Sequence, residues 1–336
     1  MKYSIPAPTI DFAPKTYCCM RTERAHLLDG DLEKPFWRDA PWSDDFVDIE
    51  GALKPEPRYR TRVKMLWDDE AIYFGAELWG DEIWAHVTDR DAVIFADNDF
   101  EIFIDPDSDT HCYCEFEVNA LGTMWDLLLT KPYRDGGMPI DSFDIKGLRC
   151  AVKVFGELGN PKAENVKWTV EIVMPFRSLA ECAGKGGRRP EAGDFWRINF
   201  SRVQWQVEKD GGAYVKRMDE AAQKPLPEDN WVWSPMGVVN MHYPELWGFV
   251  FFCDGDHTGC IIPEDEARKW RLRQYYYAQK AKRDADGKYA LNIPCIDGTI
   301  SAHVTDDWFI ASCPAKDGGT LTLAADGKIS KMGRKP

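Results

Sequence analysis

The sequence predicts an all-β fold, an antiparallel β-sandwich with a helix and a few short strands appended at its C-terminal end. Three observations predict it. Short runs in which apolar and polar residues alternate recur between about residues 58 and 253, and a period of two marks half-buried strands. Turn-forming clusters stand between these runs, among them Asp105-Pro-Asp-Ser-Asp109, Asp135-Gly-Gly137 and residues 156–161, a spacing typical of sandwiches. Tryptophan occurs 14 times in 336 residues, roughly three times an average usage of about one per cent, and aromatic side chains suit pleated, half-buried surfaces.

Residues 1–25 read as an irregular or edge-strand lead-in, 26–254 as the sandwich and 255–336 as an extension. Asp29-Gly30-Asp31-Leu32 reads as a turn, followed by a short helix-like plug at Phe36-Trp37 and Ala40-Pro41-Trp42. In 60–67, Thr61, Val63, Met65 and Trp67 alternate with Arg62 and Lys64, and in 72–79 Ile72, Phe74, Ala76 and Leu78 alternate with Tyr73 and Glu77. Asp68-Asp69-Glu70 between them is a loop of hairpin length. Further strands are expected at 99–105, 111–119, 124–130, 148–155, 168–174, 195–203 and 247–253, with a helical turn at 176–182. The pattern of Ala267, Trp270, Leu272, Tyr275, Tyr276 and Ala278 predicts a helix over about 264–284. Short strands at 289–294, 300–304, 308–312 and 320–324 follow.

The register of two strands is informative. Cys112, Cys114, Phe116 and Val118 oppose Tyr113, Glu115, Glu117 and Asn119, while Trp196, Ile198 and Phe200 oppose Arg197, Asn199 and Ser201. One sheet thus has an apolar face for the core and a polar face that can carry a binding surface.

A net charge of −14 argues against nucleic acid, whose phosphates need a basic footprint, and against anionic membrane surfaces. No apolar run approaches the roughly 20 residues that span a bilayer. Residues 1–15 carry prolines and Asp11 where a secretory signal needs an apolar core. The chain as written is therefore expected in the cytoplasm, and a trimmed start would instead allow a periplasmic or secreted protein. The ten cysteines show no zinc-type pair of CxxC units and read as buried free thiols.

Several groups are candidates for chemistry. Residues 230–248 gather Trp231, Trp233, Trp247, Tyr243, Asn230, Asn240 and His242. Aromatic faces flanked by amides suit a sugar, which offers a C–H face and a rim of hydroxyls; the same tryptophans read equally as core plugs. Asn98, Asp99 and Glu101 read either as ligands of a sugar hydroxyl or calcium, or as a polar strand entry. Asp105, Asp107 and Asp109 have a spacing that calcium favours, but the glycine and distal glutamate of an EF-hand loop are missing. A solvated acidic turn explains them better. Glu115 and Glu117 sit about 7 Å apart by strand rise, a spacing open to a glycosidase pair, yet both lie on one strand. No HExxH, G-x-S-x-G or phosphate loop is present; residues 184–187 with Arg188-Arg189 read as a flexible basic turn.

In this order the segments resemble the family 9 carbohydrate-binding modules and their DOMON-like relatives, an immunoglobulin-like or jelly-roll type of sandwich. The resemblance is carried by Leu28 to Leu32 with Trp37 and Ala40, Val63 to Asp68 with Ile72-Tyr73, Asn98 to Pro106, and Tyr113 to Asn119 with Trp125-Asp126. Trp168 to Ile172, Trp196 to Arg202 and residues 230–248 complete it, over about 25–253. The chain is most similar to the longer bacterial subgroup of family 9-like proteins, tied by that resemblance to polysaccharide catabolism. The resemblance implies a sugar clamped between two tryptophans on a concave face, with structural calcium often present. By motif position it implies Trp84 with Trp231 or Trp233 as the clamp. Arg202, Glu117, Asn119, Asn98 and Lys216 then form the polar rim, and Trp125 lies in the same carrying segment.

The expected function is non-catalytic binding of a mono- or oligosaccharide, with no nucleic acid or membrane partner and calcium as the candidate cofactor. Two alternatives stand beside it. One is a glycoside hydrolase using Glu115 and Glu117; the other is a DOMON-type haem protein, disfavoured because Met241 and His242 are adjacent rather than opposed.

Overall fold

The structure is a computed structural model describing residues 5–24, 26–184, 188–255, 259–293 and 298–333. Parts of the lead-in and residues 185–187 of the expected basic turn lie outside the described residues, while the strand expected at 289–294 does not form among the described residues: residues 289–293 are a turn with irregular flanks. The strands before the long loops are β1 (Thr16–Arg21), β2 (Val47–Asp48), β3 (Thr61–Trp67), β4 (Ala71–Trp79), β5 (Asp99–Asp105) and β6 (Tyr113–Asn119). Then come β7 (Met124–Leu129), β8 (Pro139–Ile140), β9 (Arg149–Phe155), β10 (Lys167–Pro175) and β11 (Phe195–Gln204). Two small hairpins follow, β12 (Val207–Asp210) with β13 (Ala213–Lys216) and β14 (Met218–Asp219) with β15 (Lys224–Pro225), before β16 (Asp229–Val232) and β17 (Gly248–Cys253).

Among the described residues one long, curled sheet runs β8-β7-β6-β5-β11-β17-β1-β3-β4-β10-β9, with β16 beside β11 and β2 beside β16. The lead-in therefore supplies a central strand. β1 pairs parallel with both β17 and β3, so the sheet is mixed where the alternation pointed to antiparallel pairing throughout. Tyr17 and Cys19 of β1 face the core, which is why so short a strand is held at the centre.

The curl brings the two halves of the sheet face to face. Val63, Phe74, Val170 and Ile172 from one half share a core with Phe100, Ile102, Phe116, Ile198 and Phe200 from the other. Phe74 meets Phe200 edge to face at 5.8 Å, a favoured aromatic geometry. The result is a mostly β sandwich, with the apolar face of each alternating strand turned inward as the sequence predicts.

Each outer face is covered differently. On the β3-β4-β10 half, the Asp29-Gly30-Asp31 turn and the short 3-10 plug Pro35–Trp37 sit over Glu171. This buried carboxylate accepts hydrogen bonds from Trp37 Nε1 (2.6 Å), Lys34 Nζ (2.6 Å), Gly30 N (2.7 Å) and Asp29 N (3.0 Å). Gly30 has φ of 79°, and a Cβ there would lie 2.8 Å from Lys153 N, so the turn requires glycine. The motif around Leu28 to Leu32 is thus a tie between lead-in and sheet.

On the β5-β6-β7 half, the cover is the C-terminal extension. Helix α1 (Glu264–Asp286) and the sheet β18 (Ser301–Val304), β19 (Phe309–Pro314), β20 (Thr320–Ala324), β21 (Ile329–Met332) share a second core with Phe103, Tyr113, Leu127, Leu129 and Trp247. Arg197, buried, donates to Trp247 O (3.0 Å from Nε) and Glu245 O (2.8 Å) and pairs with Glu266 of α1 at 3.3 Å. The extension is therefore integral to the fold. No described helix is long and apolar enough to cross a membrane.

Cys18 is joined to Cys260 by a disulfide, which departs from the expectation of free thiols throughout. Cys112 stands just outside β6 with φ of 51° and is exposed while Cys114 is buried, so the two do not share a face.

A tight contact inside residues 230–248 fixes the place of Trp233. A Cβ on Gly248 would stand 2.2 Å from Trp233 Cζ3. Gly248→Ala is expected to destabilise the protein by about 1–3 kcal/mol through overpacking, read as a lower urea midpoint; an unchanged midpoint would show that the indole has room to move.

Candidate ligand-binding site

The extension leaves part of the outer face of the β5-β6-β7-β11 half-sheet uncovered, and there the polar alternation opens into a cavity. The ladder pairings place Trp125, Glu117, Glu101 and Ser201 side by side across β7, β6, β5 and β11. The next rung carries Leu127, Glu115, Phe103 and Asn199. The cavity above them has a volume of about 390 Å³ and is lined by Phe95, Glu101, Phe103, Glu115, Glu117, Trp125, Tyr133, Val203, Glu228, Asn230, Asn240, Met241 and His242.

Aromatic rings form much of its rim. Phe95 and Tyr133 are 41% and 42% exposed, and Phe95 stacks on Trp125 at 6.5 Å and 29°. Phe95 is positioned by the loop before β5: its N–H donates to Glu117 Oε2 (3.0 Å), and its carbonyl accepts from Trp205 Nε1 (2.9 Å). The same loop is pinned where Asp97 Oδ2 accepts from His86 N, Val87 N and Asn119 Nδ2 at 2.8, 2.8 and 3.0 Å. Tyr133 meets His242 edge to face at 4.5 Å. His242 Nδ1 is 2.9 Å from Tyr113 OH, and burial, with Arg134 nearby, lowers its pKa to about 3, so the ring is neutral. Trp125 Nε1 is buried without a hydrogen-bond partner, a donor free for a ligand.

The floor is acidic. Among the described residues no lysine or arginine lines the cavity, while Glu101 and Glu117 face each other directly across the β5-β6 ladder, an arrangement that destabilises a sheet when both are charged. Asp99, Glu101 and Glu117 each place a carboxylate oxygen within 4.8 Å of the others; two such charges repel by ~3 kcal/mol at an effective dielectric of ~20. Burial, reinforced by neighbouring carboxylates, pushes Asp99, Glu115 and Glu117 well above the usual range. Burial raises Glu101 from 4.5 to about 7, with the Ser201 hydroxyl beside it pulling the other way.

The sign of the pH effect follows. Glu101 binds its proton more tightly folded than unfolded, so the stability it contributes is present below pH 4.5 and lost as pH rises through about 7. Glu101→Gln is expected to flatten the fall in stability between pH 5 and 8 and to stabilise the protein at pH 8, by on the order of 3 kcal/mol. Urea unfolding at both pH values, in chelator, checks this; parallel pH profiles for wild type and variant would contradict it.

Of the residues singled out from sequence, the cavity gathers Glu101, Glu115, Glu117, Trp125 and, from 230–248, Asn230, Asn240, Met241 and His242. The others lie elsewhere. Trp84, Trp231 and Trp233 are 3%, 3% and 1% exposed, which leaves no open indole face. Trp231 is packed near the guanidinium groups of Arg58 and Arg202, each 5.2 Å from its ring. Arg202 points to the core side and donates to Gln204 Oε1, Thr61 Oγ1 (3.0 Å) and Trp79 O (2.8 Å). Asn98 ties Glu82 O to Trp205 N, Asn119 caps its own turn through Leu121 N and Thr123 N, and Lys216 donates to Ala96 O. All three build the loops around the cavity.

Asp105, Asp107 and Asp109 cluster at the far end of β5. Asp105 accepts from Ser108 N and Thr110 N, and Asp109 from His111 N and Lys328, so the turn already uses most of their oxygens. Phe95 and Tyr133 were not among the sequence candidates. Phe95 had one signal, a bulky aromatic in the turn just before an acidic strand entry.

No curated protein matches the chain. A family 9 carbohydrate-binding module from Caldicellulosiruptor kristjanssonii in complex with cellotriose aligns at 16% identity and a TM-score of 0.45, covering 74% of this chain and 99% of that one. The same kind of module from that organism in complex with glucose aligns at 14% and 0.45, covering 72% and 97%. A candidate carbohydrate-binding protein from Bacteroides uniformis aligns at 14% identity with a TM-score of 0.51, covering 71% of this chain and all of that one; this likeness is one of fold. Residues 28–126, which include Phe95, Glu101, Glu115, Glu117 and Trp125, match the family model described as carbohydrate family 9 binding domain-like.

Proposed function

We propose that the protein binds carbohydrate without catalysis, taking one or a few sugar rings into the cavity above the Glu101–Glu117 rung. The observation that carries this reading is the stacked Phe95–Trp125 pair at the mouth of a cavity of about 390 Å³ with a carboxylate floor. A pyranose can lay its C–H face on such rings, while its hydroxyls meet the carboxyl groups and the unpartnered Trp125 Nε1. The volume suits a small ligand. The family match over 28–126 supports the same reading, since it contains both stacking rings. Affinity is expected in the micromolar to millimolar range, because an open site recovers little net energy per hydrogen bond.

A hydrolase using Glu115 and Glu117 has less support. Both carboxyls rise from one strand on one face, and burial raises both, whereas acid and base roles require environments that push the two apart. A glycan array carrying glucose, cello-oligosaccharides and other plant and microbial sugars tests the proposal. Retention of one sugar class, with no reducing sugar released from it, is expected. Release of sugar that Glu117→Gln abolishes would favour the hydrolase, and an array without signal would remove the binding reading.

A further inference from the structure

We propose that Cys18, Cys253 and Cys260 form a site for one thiophilic metal ion of the zinc class, open when the Cys18–Cys260 disulfide is reduced. The inference is independent of sugar binding and of the cavity. Three observations carry it. The three sulfurs lie within 4.8 Å of one another, and sulfurs that share a tetrahedral zinc at about 2.3 Å stand about 3.8 Å apart. They converge from three places in the chain: Cys18 from β1, Cys253 from the last position of β17, and Cys260 from the irregular segment that leads into α1. In the parallel β1-β17 ladder Cys18 pairs with Phe251 and Met20 with Cys253, so Cys18 and Cys253 project from one outer face, where Cys260 packs beside them. The disulfide uses two of the sulfurs. Cys253 is the third, 1% exposed and donating a weak S–H bond to Phe251 O at 3.5 Å.

Reduction by a dithiol passes two electrons into the Cys18–Cys260 bond, which breaks to two thiols while the dithiol closes to its own disulfide. The incoming ion then displaces one proton from each of the three thiols. Two sulfurs that are no longer bonded move apart, toward the spacing an ion requires. Cys260 can follow because its segment is irregular, whereas Cys18 and Cys253 are held by the ladder. Three thiolates select zinc, cadmium or copper(I) over calcium and magnesium. Cys18 and Cys260 are partly exposed, which gives the ion a path from solvent and leaves a fourth position for water. The consequence is structural. In the oxidised protein the disulfide fastens the segment before α1 to β1. In the reduced protein the ion replaces that link, so the extension keeps its tie to the sheet in both states. Reoxidation by a small-molecule disulfide withdraws two of the three ligands and releases the ion.

The test uses the full chain without sugar, in two forms: with the disulfide intact, and after reduction by a phosphine. Cobalt(II) is the probe, because thiolate ligation gives it an intense charge-transfer absorption, and zinc is then used to displace it. One cobalt per reduced chain is expected, with that absorption, and none with the disulfide intact. Affinity is expected to fall ~10-fold or more in reduced Cys253→Ser and Cys260→Ser and to persist in Cys114→Ser. Cys253→Ser keeps both partners of the disulfide, so its fold is checked by circular dichroism in the oxidised form. Zinc should also raise the thermal midpoint of reduced wild type and not of reduced Cys253→Ser. Absence of uptake by reduced wild type would overturn the proposal, as would unchanged affinity in a folded Cys253→Ser. Uptake without charge-transfer absorption would mean that carboxylates hold the ion, and would overturn it equally. Loss confined to Cys114→Ser would assign the ion to Cys114 and its neighbour Cys182 and would also overturn it.

Discussion

Replacing Arg134 with methionine is expected to destabilise the protein by about 3–5 kcal/mol, the usual effect of breaking a buried ion pair from one side. Arg134 is buried, chelates both oxygens of Glu245 at 2.8 Å and lies 4.0 Å from the Tyr243 ring. Against the penalty of burial, Arg134 and Arg273 hold the Glu245 carboxyl at about 2. With Arg134 gone, Glu245 keeps Tyr277 and a more distant Arg273 at 3.5 Å. The effect reaches the cavity, because Tyr133, Arg134 and Asp135 form one short turn. Tyr133 stands on the cavity rim while Asp135 accepts from Tyr276 (2.6 Å) and Lys280 (2.8 Å) of α1. Urea unfolding followed by near-ultraviolet circular dichroism measures the change; a midpoint equal to wild type would mean that the extension is not locked through this turn.

Trp125→Ala is expected to weaken sugar binding roughly thirtyfold, from the loss of about 2 kcal/mol that an aromatic anchor carries in a site. Trp125 is only partly buried and contributes at the edge of the second core, so its removal should leave the fold intact. Phe95→Ala, which removes the other ring of the stacked pair, is expected to act in the same direction. Calorimetric titration of both variants checks this; wild-type affinity in both would separate the aromatic rim from ligand capture.

Much of the fold was legible because it depends on local alternation. The strands around Phe100, Phe116 and Ile198 were placed correctly from their period of two, and the polar face that bears Glu115 and Glu117 followed from the same pattern. The place of β1 was not legible, since parallel pairing between β17 and β3 is set by strands far away in sequence. The site was readable only in part. That Glu117 faces outward is a local fact, but that Glu101 lies opposite it and Trp125 beside it is a matter of register, which a single sequence does not contain. Tryptophan chemistry is also ambiguous. Trp233 and Trp125 are alike as residues, yet Trp233 fills the space that Gly248 leaves open in the core while Trp125 lines the cavity. Arg202 shows the opposite case: the alternation of Trp196, Ile198 and Phe200 already puts position 202 on the core side, where it is found buried.

The most direct test of carbohydrate binding at this cavity is calorimetric titration, with calcium present, of wild type, Trp125→Ala and Phe95→Ala with glucose, cellotriose and the sugars retained on the array. Saturable heat in wild type, sharply weakened in both variants while their unfolding midpoints hold, is the expected result. Equal heats in all three proteins, or no heat in wild type, would contradict the assignment of the Phe95–Trp125 cavity as a sugar site.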